Sequence, residues 1–260
     1  MKRIHLFEFE DFNSFPKWIR ACLTQLILVM HNILNTHEEL SELLANQIKE
    51  TNSRQIVDLC SGSGGPMPKV IELLNEKHNL KDIQLTLTDL YPDTGAAEKI
   101  NQLQGGNISY KLEPIDATDV DANIEGLRTM VSSFHHMNTQ NAKKILNSAV
   151  KSRQPICIFE ISDNSFPLII SWIALPINFI TCLFITPFVK PLTWQQLVFT
   201  YLIPIIPLFF AWDGAVSNLR TYTLNDLDTL LEGVSSENYR WEKGIIKAKS
   251  KKLYLLGTPI

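Results

Sequence analysis

The chain has 260 residues, room for one full α/β core plus an elaboration, and 24 basic against 27 acidic residues give a formal net charge of −3. No Lys/Arg cluster reaches the density of a nucleic-acid footprint, so polynucleotide partners are not expected. Cys22, Cys60, Cys157 and Cys182 form no C-x-x-C pair and have no histidine at metal spacing. Neither a metal site nor a disulfide framework is therefore expected, and the thiols fit a reducing compartment. Glu8, Glu10 and Asp11 interrupt the N-terminus before any apolar core, which argues against a secretory signal.

Residues 1 to 20 mix aromatics with charges and read as a loop or short helices. From Pro16 to about Lys49, apolar residues such as Ile19, Leu23, Leu26 and Met30, then Leu40, Leu44 and Ile48, recur at helical spacing. A break at Asn35-Thr36-His37 divides them into two helices, which either roof the active site or pack on the sheet. A strand, Gln55-Ile56-Val57-Asp58, then ends in an acid and enters a small-residue loop with glycines at Gly62, Gly64 and Gly65. Pro66 and Pro68 open the next helix, where a missing N–H is tolerated. Glycines let the backbone approach a ligand, and the amides at a helix start face it. The dinucleotide fingerprint G-x-G-x-x-G is not matched.

Ile83 to Thr88 is a second strand ending at Asp89, an acid placed to accept hydrogen bonds from ribose hydroxyls. Tyr91-Pro92-Asp93 starts a third helix, and Ile108 to Leu112 is a short strand followed by Asp116-Ala117-Thr118-Asp119. Leu127 to Phe134, including Ser133, reads as the fourth strand and runs into His135-His136-Met137. Asn138 caps an amphipathic helix carrying Ala142, Ile145 and Leu146, and Ile156 to Ile161 is the fifth strand. This alternation implies a parallel sheet with right-handed crossovers. His135 and His136 then fall at the mouth of the crevice, where a neutral-pKa ring can take a proton from an attacking hydroxyl or amine. On an extended backbone adjacent side chains diverge, so one of the two is expected to point inward.

The run from Val57 to Gly64 resembles motif I of the class I S-adenosylmethionine-dependent methyltransferases, an apolar residue, an acid, then x-G-x-G-x-G. Cys60 stands where the first glycine is usual. The resemblance implies an α/β, Rossmann-like fold with a mostly parallel seven-stranded sheet, helices on both faces and a closing antiparallel strand pair. It implies S-adenosylmethionine as cofactor, with Asp58, Cys60, Gly62, Gly64, Asp89, Asp116 and Ser133 around it, Asp116 facing the adenine amino group.

Between Asp163 and Asp213 the only charge is Lys190. Ser165 to Val189 and Pro191 to Trp212 hold 25 and 22 uncharged residues, each long enough to cross a hydrocarbon core of about 30 Å as a helix. The block reads as a two-helix hairpin with Lys190 near its tip or a re-entrant pair in one leaflet. A soluble lid or a homodimer surface is the other alternative. After it, Thr223 and Asp226 have capping-box spacing before a helix, and Tyr239 to Lys249 and Lys252 to Gly257 read as the closing strands. The expected organisation is an N-terminal helical cap (1–52), a cofactor domain (53–163 and 213–260) and an apolar insertion (164–212). The expected function is methyl transfer to a small lipophilic acceptor, oxygen slightly favoured, by a membrane-associated protein with its catalytic domain in the cytoplasm. A non-catalytic cofactor-binding or assembly protein is the alternative, followed by a nicotinamide-dependent reductase.

Overall fold

The computed structural model describes residues 1–12, 14–102, 106–165, 167, 172–234 and 236–260. The five parallel strands β1 (Gln55–Asp58), β2 (Gln84–Leu87), β3 (Ile108–Tyr110), β4 (Leu127–Val131) and β5 (Ile156–Glu160) are short and mostly buried. They pair in the order β3-β2-β1-β4-β5, and β7 (Lys251–Pro259) adds antiparallel to β5, with β6 (Tyr239–Lys247) outside it. Buried apolar strands of this kind need helices on both faces. α3 (Met67–Glu76) and α4 (Thr94–Asn101) follow β1 and β2, and α5 (Thr139–Lys151) follows β4. Asp93 and Asn138 cap α4 and α5 by accepting from Ala96 N–H and Asn141 N–H.

The two leading helices pack in different places, and the sheet-packing role falls to one of them. α2 (Thr36–Thr51) packs on the sheet, burying Leu40, Leu44 and Ile48 beside Ile56, Met67 and Leu85. α1 (Lys17–Ile33) instead joins the apolar insertion, with Ile19, Leu23 and Leu26 against Cys182, Ile185 and Ile206. Asn35, at φ 54°, turns the chain between them.

The insertion is built of short, bent helices. Residues 166 and 168–171 of the uncharged block lie outside the described residues. Beyond them, α6 (Ala174–Ile185) is 12 residues long and gives way to a 3-10 turn at Thr186–Phe188 containing Pro187. A second segment, Trp194–Leu202, meets Ile205–Arg220 at an 84° bend after Pro204. No single described helix is long and apolar enough to cross a membrane; the bent pair passes only when taken together. Proline rings remove helical donors and clash with the preceding turn, which is where these helices break. The helix Ile205–Arg220 also overruns the expected boundary at 212/213, so insertion and cofactor domain share one continuous helix.

Candidate functional site

The chain turns after β1 through a series of left-handed residues, Cys60 (φ 57°), Gly62 (53°), Gly64 (100°) and Gly65 (50°). A residue with a Cβ loses about 1–2 kcal/mol in that conformation. The cysteine therefore carries strain at the position where a glycine is usual. A Cβ on Gly62 or Gly65 would meet no protein atom within 4 Å, whereas one on Gly64 would sit 3.3 Å from Leu87 Cδ1. The turn thus has an open floor at its two outer glycines and close packing behind the middle one.

Asp58 lies behind this floor at 3 % exposure. Its oxygens accept from Ser61 Oγ and Thr129 Oγ1, both at 2.6 Å. Burial pushes its carboxyl up to about 7, against the downward pull of those two hydrogen bonds. Asp58 braces the turn from within through these two hydrogen bonds. Asp89, just past β2, is half-buried and accepts from Gly62 N–H at 2.8 Å and Tyr91 N–H at 2.9 Å. Each oxygen retains a second lone pair. Asp116 is exposed and accepts from Thr118 N–H at 2.8 Å. Burial, with the charges of Asp89 and Asp58 adding, pushes the Cys60 thiol up and keeps it from serving as a nucleophile.

β4 ends earlier than its apolar run suggests, because Ser132 takes φ 52°. The Ser132 and Ser133 hydroxyls are buried without a hydrogen-bond partner among the described residues. Buried polar atoms are normally satisfied, so two orphans at a strand end beside an open glycine floor fit a small polar ligand such as a nucleoside.

His135 and His136 sit in a 3-10 turn, Phe134–His136, not in an extended strand. Both rings consequently lie on one side, with centroids 4.3 Å apart. His135 is 4 % exposed; its Nδ1 lies 2.8 Å from Glu160 Oε2 and its Nε2 2.9 Å from Ser217 Oγ. Burial opposes charging this ring, but the charge and hydrogen bond of Glu160 outweigh it and hold its pKa above the ordinary value. His136 Nδ1 lies 3.0 Å from Asp11 Oδ1. Arg220 joins the group, with Nη1 2.6 Å from Asp11 Oδ2 and 3.1 Å from Glu8 Oε1. An N-terminal strap brings Glu8 and Asp11 over the carboxyl ends of β4 and β5.

Sequence reasoning missed several of these groups. Tyr110 OH donates to Gly62 O at 2.7 Å and pins the turn. Glu160 carries a legible signal, an acid closing an apolar strand as in β1. Glu8, Asp11 and Arg220 have none, since each reaches the site from a distant part of the chain.

The strand order, the antiparallel seventh strand and the glycine turn after β1 together are the class I methyltransferase fold. Among solved structures the chain is similar to the plantazolicin methyltransferase BpumL in complex with a triazolic desmethylPZN analog and SAH, with TM-score 0.55 and 10 % identity over 94 % of this chain and 99 % of that one. It is similar to BpumL in complex with SAH at TM-score 0.50 and 10 % identity, over 94 % and 98 % of the two chains. The methyltransferase domain of bacterial CtHen1-C gives 0.50 and 13 % identity, over 87 % and 98 %. In sequence the chain matches no family profile and no curated protein.

Proposed function

We propose that the chain is an S-adenosylmethionine-dependent methyltransferase acting at a membrane surface on a small lipophilic acceptor, with an oxygen nucleophile favoured. The observation that carries this reading is the open floor at Gly62 and Gly65 with Asp89 hydrogen-bonded to that same turn, in a fold shared over nearly its whole length with an enzyme solved with SAH. When bound there, the cofactor supplies an electrophilic methyl group. Asp89 accepts from its ribose hydroxyls, Asp116 from the adenine amino group, and the Ser133 hydroxyl gains the partner it lacks. The histidine pair handles the acceptor's oxygen at the far side of the crevice. Holding the two reactants in line supplies most of the acceleration in such a displacement.

The membrane setting is supported by the outer face of the insertion. Ile177, Ile180, Phe184, Phe188, Trp194 and Leu202 are all exposed, Leu202 at 78 %. A contiguous apolar patch on a soluble surface marks an interaction site. Beside it, a groove of roughly 490 Å³ is lined by Leu175, Phe179, Ile180, Leu208 and Trp212, apolar enough to take an aliphatic or aromatic acceptor.

Calorimetric titration with S-adenosylmethionine tests the cofactor, and no heat of binding at millimolar ligand would end the proposal. Membrane fractionation after a high-salt wash tests the setting. A monodisperse dimer without detergent would assign the apolar face to a second copy of the chain.

A further inference from the structure

We infer that Glu8, His135 and His136 form a binding site for a first-row divalent metal ion at the acceptor end of the crevice. Each imidazole has its Nδ1 against a carboxylate, His135 against Glu160 at 2.8 Å and His136 against Asp11 at 3.0 Å. In a neutral ring, Nδ1–H donating to that carboxylate leaves the lone pair on Nε2; on His135 this atom lies 2.9 Å from Ser217 Oγ, a hydroxyl that a bound ion would displace. A carboxylate behind a histidine in this way is how metal-ligating imidazoles are oriented and made more basic. Both Nε2 atoms face Glu8, the His135 atom 3.9 Å from its Oε1 and the His136 atom 3.9 Å from its Oε2.

The three ligand atoms lie within 4.8 Å of one another. A metal at about 2.0–2.2 Å from each would space them roughly 3.0–3.5 Å apart, so closure needs a movement of about 1 Å. Glu8 sits on the strap and can supply it. Glu8 is 3 % exposed, yet its Oε1 accepts no hydrogen bond from any described residue, although Arg220 Nη1 stands 3.1 Å away. Arg220 keeps Asp11 when Glu8 turns to a metal.

Two imidazoles and one carboxylate suit Zn²⁺, Fe²⁺ or Mn²⁺ and leave coordination positions open. The absence of cysteine ligand spacing does not bear on such a set. An open position would hold the acceptor's oxygen and lower its pKa, making the histidines ligands instead of bases. That role, unlike metal binding itself, rests on the methyltransferase reading.

The test uses the full chain in detergent without a histidine tag, stripped with chelator and titrated separately with Zn²⁺, Mn²⁺ and Co²⁺. One equivalent of at least one ion should bind with a Kd of about 10 μM or tighter. His136→Ala and Glu8→Gln should each weaken it about tenfold or more, and visible Co²⁺ absorption should disappear in His136→Ala. The His136 side chain is 30 % exposed, so this variant is expected to fold, which circular dichroism checks. Cofactor titration of the same sample should give unchanged affinity. The absence of binding below millimolar ion, or equal binding by wild type and both variants, would overturn the inference. Loss of cofactor binding with metal binding intact would instead remove the methyltransferase reading and leave the metal site standing.

Discussion

Asp89 offers the sharpest test of the cofactor site. Replacing it with alanine removes two backbone hydrogen bonds, from Gly62 N–H at 2.8 Å and Tyr91 N–H at 2.9 Å, along with both acceptors for the ribose. Hydrogen bonds to a charged group contribute about 1.5–3 kcal/mol each when desolvated. The carboxylate is half-exposed in the free protein, so the two ribose contacts together are worth roughly 2–3 kcal/mol, a 30- to 150-fold loss of affinity. The loosened turn adds about 1 kcal/mol of lost stability. Asp89→Asn keeps the shape and one acceptor oxygen, so its loss should be intermediate. Calorimetry with S-adenosylmethionine and with SAH reads the affinities, and thermal unfolding without ligand reads the turn separately. Binding by Asp89→Ala within threefold of wild type would show that the ribose is not held there.

Cys60→Gly should keep cofactor affinity and stay within about 1 kcal/mol of wild-type stability, because relief of the left-handed strain offsets the lost packing; denaturant unfolding measures it. Lys252 is wholly buried, with Nζ 2.5 Å from Glu39 Oε2, so Glu39→Ala should cost about 3 kcal/mol by stranding an ammonium group, whereas Glu39→Ala with Lys252→Met should recover most of it. The Asp213 carboxyl is pushed up to about 7 by burial, so its neutral form is the one the fold favours. Its contribution is complete near pH 4 and is lost as pH rises through about 7; Asp213→Asn should therefore flatten the fall in unfolding temperature between pH 5 and pH 8. Phe184→Glu with Leu202→Glu, both exposed, should release the protein from lipid vesicles without altering cofactor binding, as read by co-sedimentation and calorimetry.

The cofactor half of the fold was legible because its signals are local. The apolar runs ending in Asp58 and at Asp89 each read within a single strand, and the glycines at 62 to 65 lie within a few residues of the first run and of the proline-led helix. Where the backbone leaves its ordinary regions, as at Ser132, the apolar pattern ran on past the true strand end and put both histidines on the wrong backbone. The lengths of the insertion's helices follow from its prolines. Absence of charge says that a segment is greasy, while Pro187 and Pro204 decide that its helices are short and bent. At the acceptor end the two histidines were legible, but the acids of the strap and the arginine around them were not. Glu8 and His135 are 127 residues apart in the chain, and no spacing rule joins a strap to the turn it covers.

The helix Ile205–Arg220 has one end in the greasy face and the other, at Ser217 and Arg220, against the histidine pair. Its 16 residues make a rod about 24 Å long, so a tilt of roughly 10° at the outer end displaces the inner end by about 4 Å. Reacting groups tolerate far less than that. On the proposed reading attachment and chemistry share one lever, and trimming the insertion would cut the helix that carries Ser217 and Arg220 to the histidine pair. Turnover in lipid nanodiscs should differ from that in detergent even at saturating acceptor, and equal rates would show that the lever does not move.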